Sequence, residues 1–132
     1  MEKIEIRSTK RIELLDLTDR VRQVVSRSKV KQGVCFLFVP HTTAGITINE
    51  NADPSVKKDI INSLNKLIPA GGGYLHSEGN ADSHIKSCLF GNSLDLFIEG
   101  NALCLGVWQG IFFAESDGPR RRELWITIVR SE

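Results

Sequence analysis

The chain has three histidines, His41, His76 and His84, and all of them fall between residues 41 and 84 beside acids, amides and small residues. His41 opens the run HTTAGITINENADP, and His76 and His84 bracket HSEGNADSH. Imidazole is the commonest side-chain metal ligand and the usual general acid or base near neutral pH. Their concentration therefore marks a polar site. As a metal centre, His41, His76 and His84 would offer ring nitrogens to a divalent ion, with Glu50, Glu78, Asp82 or Glu115 as further ligands or supports. The spacing matches no helical zinc motif such as HExxH, so ordinary hydrogen-bonded histidines are the plain alternative.

A second constellation runs from Trp108-Gln109-Gly110 to Glu115-Ser116-Asp117-Gly118-Pro119-Arg120-Arg121-Arg122. As pure scaffold it reads as a buried strand, a tight turn and the solvated basic start of another strand. That covers Arg121 or Arg122, because alternate strand residues face opposite sides. It does not cover the crowding of Glu115, Asp117 and Arg120 about one turn. Carboxylates beside an arginine fork suit the release of a Mg²⁺-bound diphosphate, with metal on one side and paired donors on the other.

The tripeptide Asn-Ala-Asp occurs at 51–53 and again at 80–82, each time after a glutamate, downstream of a histidine and at a predicted helix start. Helix capping explains Asp53 and Asp82. The same geometry also makes an anion site for phosphate. Thr42 and Thr43 beside His41, or Ser77 beside His76, do not form a hydrolase signature, since no GxSxG elbow is present.

These groups must be held by strands and helices. Ile4 and Ile6 alternate with charged residues and predict a strand, continued after a turn by Ile12, Leu14 or Leu15, and Leu17. Thr18 predicts a helix N-cap before Val21, Val24 and Val25, with Gly33 ending the helical region. Residues 34–39 form an apolar run expected to be a buried strand, and Ile46 and Ile48 a shorter one. Asp53-Pro54 predicts a helix start, with a stripe from Val56 through Ile60, Ile61 and Leu64 toward Pro69. A third helix is expected from Asp82 or Ser83 to Phe90, closed by Gly91 and Asn92. Residues 94–98, 103–114 and 124–129 read as strands, with Trp108 in the core. The mixture, without regular βαβ alternation, predicts an α+β fold with about three helices and a mixed, largely antiparallel folded sheet.

Composition bounds the function. At 132 residues with a net charge of +1, the chain reads as one domain (1–132) and lacks the clustered basic face of a nucleic-acid binder. No stretch reaches the roughly 18 apolar residues of a membrane span, and the N-terminus lacks the apolar core of a signal peptide. Cys35, Cys88 and Cys104 are odd in number, and Cys35 and Cys104 have apolar neighbours, which predicts reduced, buried thiols and a cytoplasmic protein.

Three stretches, PHTTAGITINENADP (40–54), HSEGNADSHIKSCLFGNS (76–93) and GVWQGIFFAESDGPRRR (106–122), together resemble the YjbQ-like family, for which a secondary thiamine-phosphate synthase activity is assigned. The family's usual threonine before Trp108 is Val107 here, which removes a hydroxyl beside the Trp-Gln pair. The resemblance implies a small α+β homotrimer with sites near subunit boundaries. It implies that His41, His76 and His84 belong to the site as metal ligands, with Mg²⁺ serving the diphosphate and Zn²⁺ or another transition metal suiting the histidines. By the same analogy Glu50, Asp82, Glu115, Asp117 and Arg120 are catalytic candidates, and Thr42, Asn49, Asp53, Asn80, Trp108 and Gln109 are substrate-binding candidates. The implied reaction couples two small phosphorylated heterocycles, hydroxymethylpyrimidine diphosphate and thiazole phosphate, with release of diphosphate. A metal-dependent hydrolase of a small metabolite and a non-catalytic metal- or metabolite-binding trimer are the competing readings.

Overall fold

Alternation along the first segment becomes β1 (Glu2–Arg7), which buries Ile6 and exposes Lys3, Glu5 and Arg7. The fold is taken from a computed structural model, which describes residues 1–131. After β1 come β2 (Glu13–Asp16), α1 (Thr18–Ser28), β3 (Gln32–Phe38), β4 (Ala44–Glu50), α2 (Pro54–Leu67) and α3 (Ala81–Phe90). The chain closes with β5 (Ser93–Glu99), β6 (Ala102–Leu103), β7 (Gln109–Glu115) and β8 (Arg121–Arg130).

The strands form two sheets, one ordered β1-β8-β3-β5-β6 and one ordered β2-β7-β4. Every ladder among the described residues is antiparallel, so the expected mixed sheet is resolved into two antiparallel ones within an α+β fold. The core lies between them. Leu37, Leu96, Ile98, Leu124 and Ile126 of the large sheet meet Ile46, Ile111 and Phe113 of the small one, with Val21, Val24 and Val25 of α1 closing the layer. The other face of the small sheet is covered by helices: Lys57 of α2 lies 5.1 Å from the Phe112 ring centre, and Ser87 of α3 donates to the Ala44 carbonyl. Strand β7 is therefore buried on both faces from Gly110 to Glu115.

Several local expectations are corrected. Helix α1 ends at Lys29, whose φ is 57°, and not at Gly33. Gly33 lies inside β3, where an added Cβ would stand 2.1 Å from the Val129 carbonyl oxygen, so its lack of a side chain permits the strand pairing. Thr18 is the first helical residue and not the cap: its hydroxyl donates to Asp16 and accepts from the Ile111 amide. The apolar run of β3 is buried on one face only, since Phe36 and Phe38 point outward. The predicted strand 103–114 is two strands separated by a loop. That loop puts Trp108 at 63% exposure, not in the core, and leaves Cys104 exposed. Cys88 is exposed as well, so of the two thiols with apolar neighbours Cys35 is buried as expected and Cys104 is not. Burial pushes the Cys35 thiol up to about 11.

Candidate functional site

The register of β4 against β7 divides the candidate residues. Ala44 faces Glu115 at one end of this ladder and Glu50 faces Gln109 at the other. Seven-residue strands span about 20 Å at the usual rise per residue. Asn49, Glu50, Asp53, Trp108 and Gln109 thus gather at one end, and His41, Thr42, Asn80, His84, Asp117 and Arg120 line a cavity at the other. That cavity encloses about 590 Å³ and is also lined by Phe38, Thr43, Glu78 and Arg122.

At the cavity floor, β7 and β8 hold Glu115 against Arg122. Arg122 Nε donates to Glu115 Oε1 at 2.9 Å, and Nη2 donates to Oε2 and to the carbonyl and hydroxyl of Thr43. Ser8 Oγ donates to Glu115 at 2.7 Å, and the Asp117 amide adds a bond of 3.0 Å. Burial pushes the Glu115 carboxyl up, but the guanidinium, the hydroxyl and the amide outweigh it and hold the group below its ordinary value. Glu115 is therefore an ionised partner of Arg122 whose oxygens are committed to protein donors, rather than an open metal ligand. Asp117 is similarly engaged: it accepts from Asn80 Nδ2 at 2.9 Å and from Arg120 Nη2 at 3.1 Å.

The histidines divide. His41 Nε2 accepts the Glu123 amide at 2.9 Å, which assigns the ring proton to Nδ1. Burial and the neighbouring Arg122 charge hold its pKa below the ordinary histidine value. His41 therefore presents a neutral ring with one donor left, Nδ1–H. His84, on the first turns of α3, lines the same cavity. The rings of His76 and His84 meet edge to face at 5.2 Å, and His76 Nε2 stands 3.7 Å from Glu78.

Asp82 has a different place from the one capping predicts. It makes no cap bond and is fully buried, gripping Arg11 through two bonds of 2.8 and 3.1 Å and Lys86 through one of 3.1 Å. Lys86, itself buried, reaches Asn65 of α2 at 2.8 Å. This cluster ties α3 to α2 and to the loop before β2, and so fixes the helix that carries His84. Asp53 is the true cap of the pair, accepting the Ser55 amide at 2.9 Å.

The donor set for a resident metal does not close. Among the described residues no three His, Cys, Asp or Glu side chains converge on one point. Glu115, Asp82 and Asp117 face protein cations or amides, and His41 Nε2 accepts a backbone proton. His76 and His84, edge to face beside Glu78, are the imidazoles left outside these commitments.

Arg122, Thr43, Arg11, Ser8 and Lys86 complete this region, and the sequence pattern signalled two of them. Arg122 shares strand parity with Leu124 and Ile126, which places it inward. Lys86 follows Asp82 by four residues on one helix face. Arg11 and Ser8 reach the site only through tertiary packing and had no local signal.

Two antiparallel sheets, three helices and a polar cavity beside a buried ion pair define a small α+β protein. The chain matches the family model described as UPF0047 protein YjbQ-like over residues 2–131, and it belongs to that family. It is 57% identical to a UPF0047 protein of Methanocaldococcus jannaschii over 96% of this chain and 92% of the relative. It is 42% identical to YugU of Bacillus subtilis over 98% of both. A crystal structure of a YjbQ/UPF0047 family member from Clostridium acetobutylicum superposes with a TM-score of 0.96, at 45% identity, covering 98% of this chain and all of that one. A YjbQ-like protein of unknown function from Sulfolobus solfataricus gives 0.94 at 31% identity, covering 98% and 96%.

Proposed function

We propose that the protein is a transferase of the thiamine-phosphate synthase type, joining hydroxymethylpyrimidine diphosphate to thiazole phosphate. The observation that carries this reading is the convergence of Arg120, Arg122, His41 and His84 on one open cavity of about 590 Å³. That volume falls in the range that holds small-molecule ligands. The C–O bond to the diphosphate breaks with its electron pair leaving on diphosphate, and the thiazole nitrogen lone pair forms the new C–N bond to the methylene carbon. Arg120 and the His41 Nδ1–H supply donors to the leaving oxygens, where charge develops. Mg²⁺ belongs to the proposal as the cation that accompanies the diphosphate.

Trp108, Gln109, Asn49 and Glu50 lie about 20 Å along the ladder from this cavity. A role for them in substrate binding requires a second copy of the chain, and the proposal therefore includes a homotrimer. Its support is the outer face of the large sheet, where Phe36, Phe38, Phe97 and Val129 stand exposed. Light scattering on the purified protein tests this: a trimeric mass supports it, and a monomer leaves Trp108 and Gln109 outside the reaction.

The reaction itself is tested by incubating the purified protein with both heterocycles and Mg²⁺, with His41→Ala alongside. Thiamine phosphate formed by the native protein and lost in the variant supports the proposal. The committed state of Glu115 and Asp82 favours a second reading, a phosphorylated-metabolite binder without a free general base. Ligand binding without turnover in the same assay selects it.

A further inference from the structure

Arg122 is 3% exposed, yet it lines the cavity. Its Nε and Nη2 are occupied by Glu115 and Thr43, and Nη1 has no hydrogen-bond partner among the described residues. With Nε and Nη2 turned to Glu115 and Thr43, Nη1 is the remaining nitrogen of a fork that lines the cavity. A guanidinium whose other edge is fixed by a carboxylate gives up little rotational freedom when an anion arrives, and its planar geometry suits oxyanions.

We infer that Arg122 is the oxyanion receptor of this cavity, holding a phosphoryl group of a small metabolite on Nη1, with Glu115 as the residue that positions it. The inference deepens the function proposed above by assigning a substrate group to a residue at that site. Three further features converge on the same volume. His41 presents its Nδ1–H, Arg120 lies at the mouth, and Asn80, the N-cap of α3, brings the positive end of a ten-residue helix to the wall. Donors from several directions match the three free oxygens of a phosphoryl group better than the two of a carboxylate. The charges of Arg122 and Arg120 are each balanced by a carboxylate, so selectivity comes from donor geometry rather than from net charge.

The test is an NMR titration of the full-length protein with inorganic phosphate at constant ionic strength, following the guanidinium resonances of Arg122 assigned through its backbone amide. Saturable shifts at Arg122, together with at least a tenfold weaker phosphate affinity in Arg122→Lys and unchanged affinity in Arg121→Lys, are expected. The lysine keeps a cation beside Glu115, and the wild-type titration decides the matter even where that variant unfolds. Phosphate shifts confined to the exposed arginines, no saturation, or equal shifts with acetate overturn the inference. Turnover is read separately. Phosphate on Arg122 in a protein that forms no thiamine phosphate retires the synthase reading and leaves the receptor in place. Turnover with Arg122 silent does the reverse.

Discussion

Arg122 meets Glu115 edge to edge with the two side chains 3% and 0% exposed, so the pair forms a cavity floor almost wholly withdrawn from bulk water. Neither charge can be removed alone without stranding the other. Glu115→Ala is expected to cost about 3–5 kcal/mol in urea unfolding, as for other broken buried pairs. Arg121→Ala, which loses only an exposed 3.5 Å contact to Glu5, is expected to cost under about 1 kcal/mol. Similar small losses in both variants would show that the pair does not hold the floor.

Acid should open the same region. Burial pushes Glu115 and Asp82 up, but their cationic and hydrogen-bonding partners win, and both are held below ordinary carboxylate values. A carboxyl depressed in the folded state contributes stability that is complete above its unfolded pKa and is lost as pH falls through the folded value. Unfolding free energy should therefore be flat in these groups at neutral pH and decline below about pH 4, the unfolded carboxylate range. In Asp82→Asn the acid slope should be shallower. An unchanged slope in that variant would mean that Asp82 does not sense folding.

Much of this arrangement was legible in the chain, and the rest was hidden for identifiable reasons. Period-two alternation located β1, the apolar run 34–39 located β3, Ile46 and Ile48 located β4, residues 124–129 located β8, and Asp53-Pro54 located the start of α2, because each signal is local. Of the three clustered histidines, His41 and His84 line one cavity and His76 stands against His84. What sequence proximity could not show is that Glu50 and Glu115 sit at opposite ends of one ladder, since the register of β4 against β7 is set by tertiary pairing. Asp82 was open to a capping reading because an acid at a helix start normally caps. Its actual partner, Arg11, lies 71 residues away in sequence, beyond any local pattern.

The neutrality of His41 is a further consequence. Protonating Nε2 would set two donors against each other at the Glu123 amide. Burial and the Arg122 charge already hold the ring below the ordinary histidine pKa. A depressed folded pKa means that this contribution to stability is complete above about 6.5, the unfolded value, and is lost as pH falls through the folded value. Long-range ¹H–¹⁵N spectra at about pH 7.5, above the ordinary histidine value, should show His41 neutral with its proton on Nδ1. A protonated ring, or the Nε2–H tautomer, would remove His41 as a cavity donor.

The position of α3 rests on the absence of a side chain at Gly45. A Cβ there would stand 2.6 Å from the Gly91 carbonyl oxygen and 2.8 Å from Phe90 Cβ, where β4 and the end of α3 touch. Backbone on one side and the half-buried Phe90 on the other leave it little room to relax. Gly45→Ala should therefore cost about 1–3 kcal/mol by overpacking and push α3 outward, carrying His84 and Asn80 with it. Gly71→Ala is the control, because nothing lies within 4 Å of its added carbon, and its effect should stay within about 0.5 kcal/mol. Amide shifts at His84 and Asn80 in Gly45→Ala, absent in Gly71→Ala, would tie the cavity wall to that contact. Unchanged shifts would mean that the Arg11–Asp82–Lys86 cluster alone sets the helix.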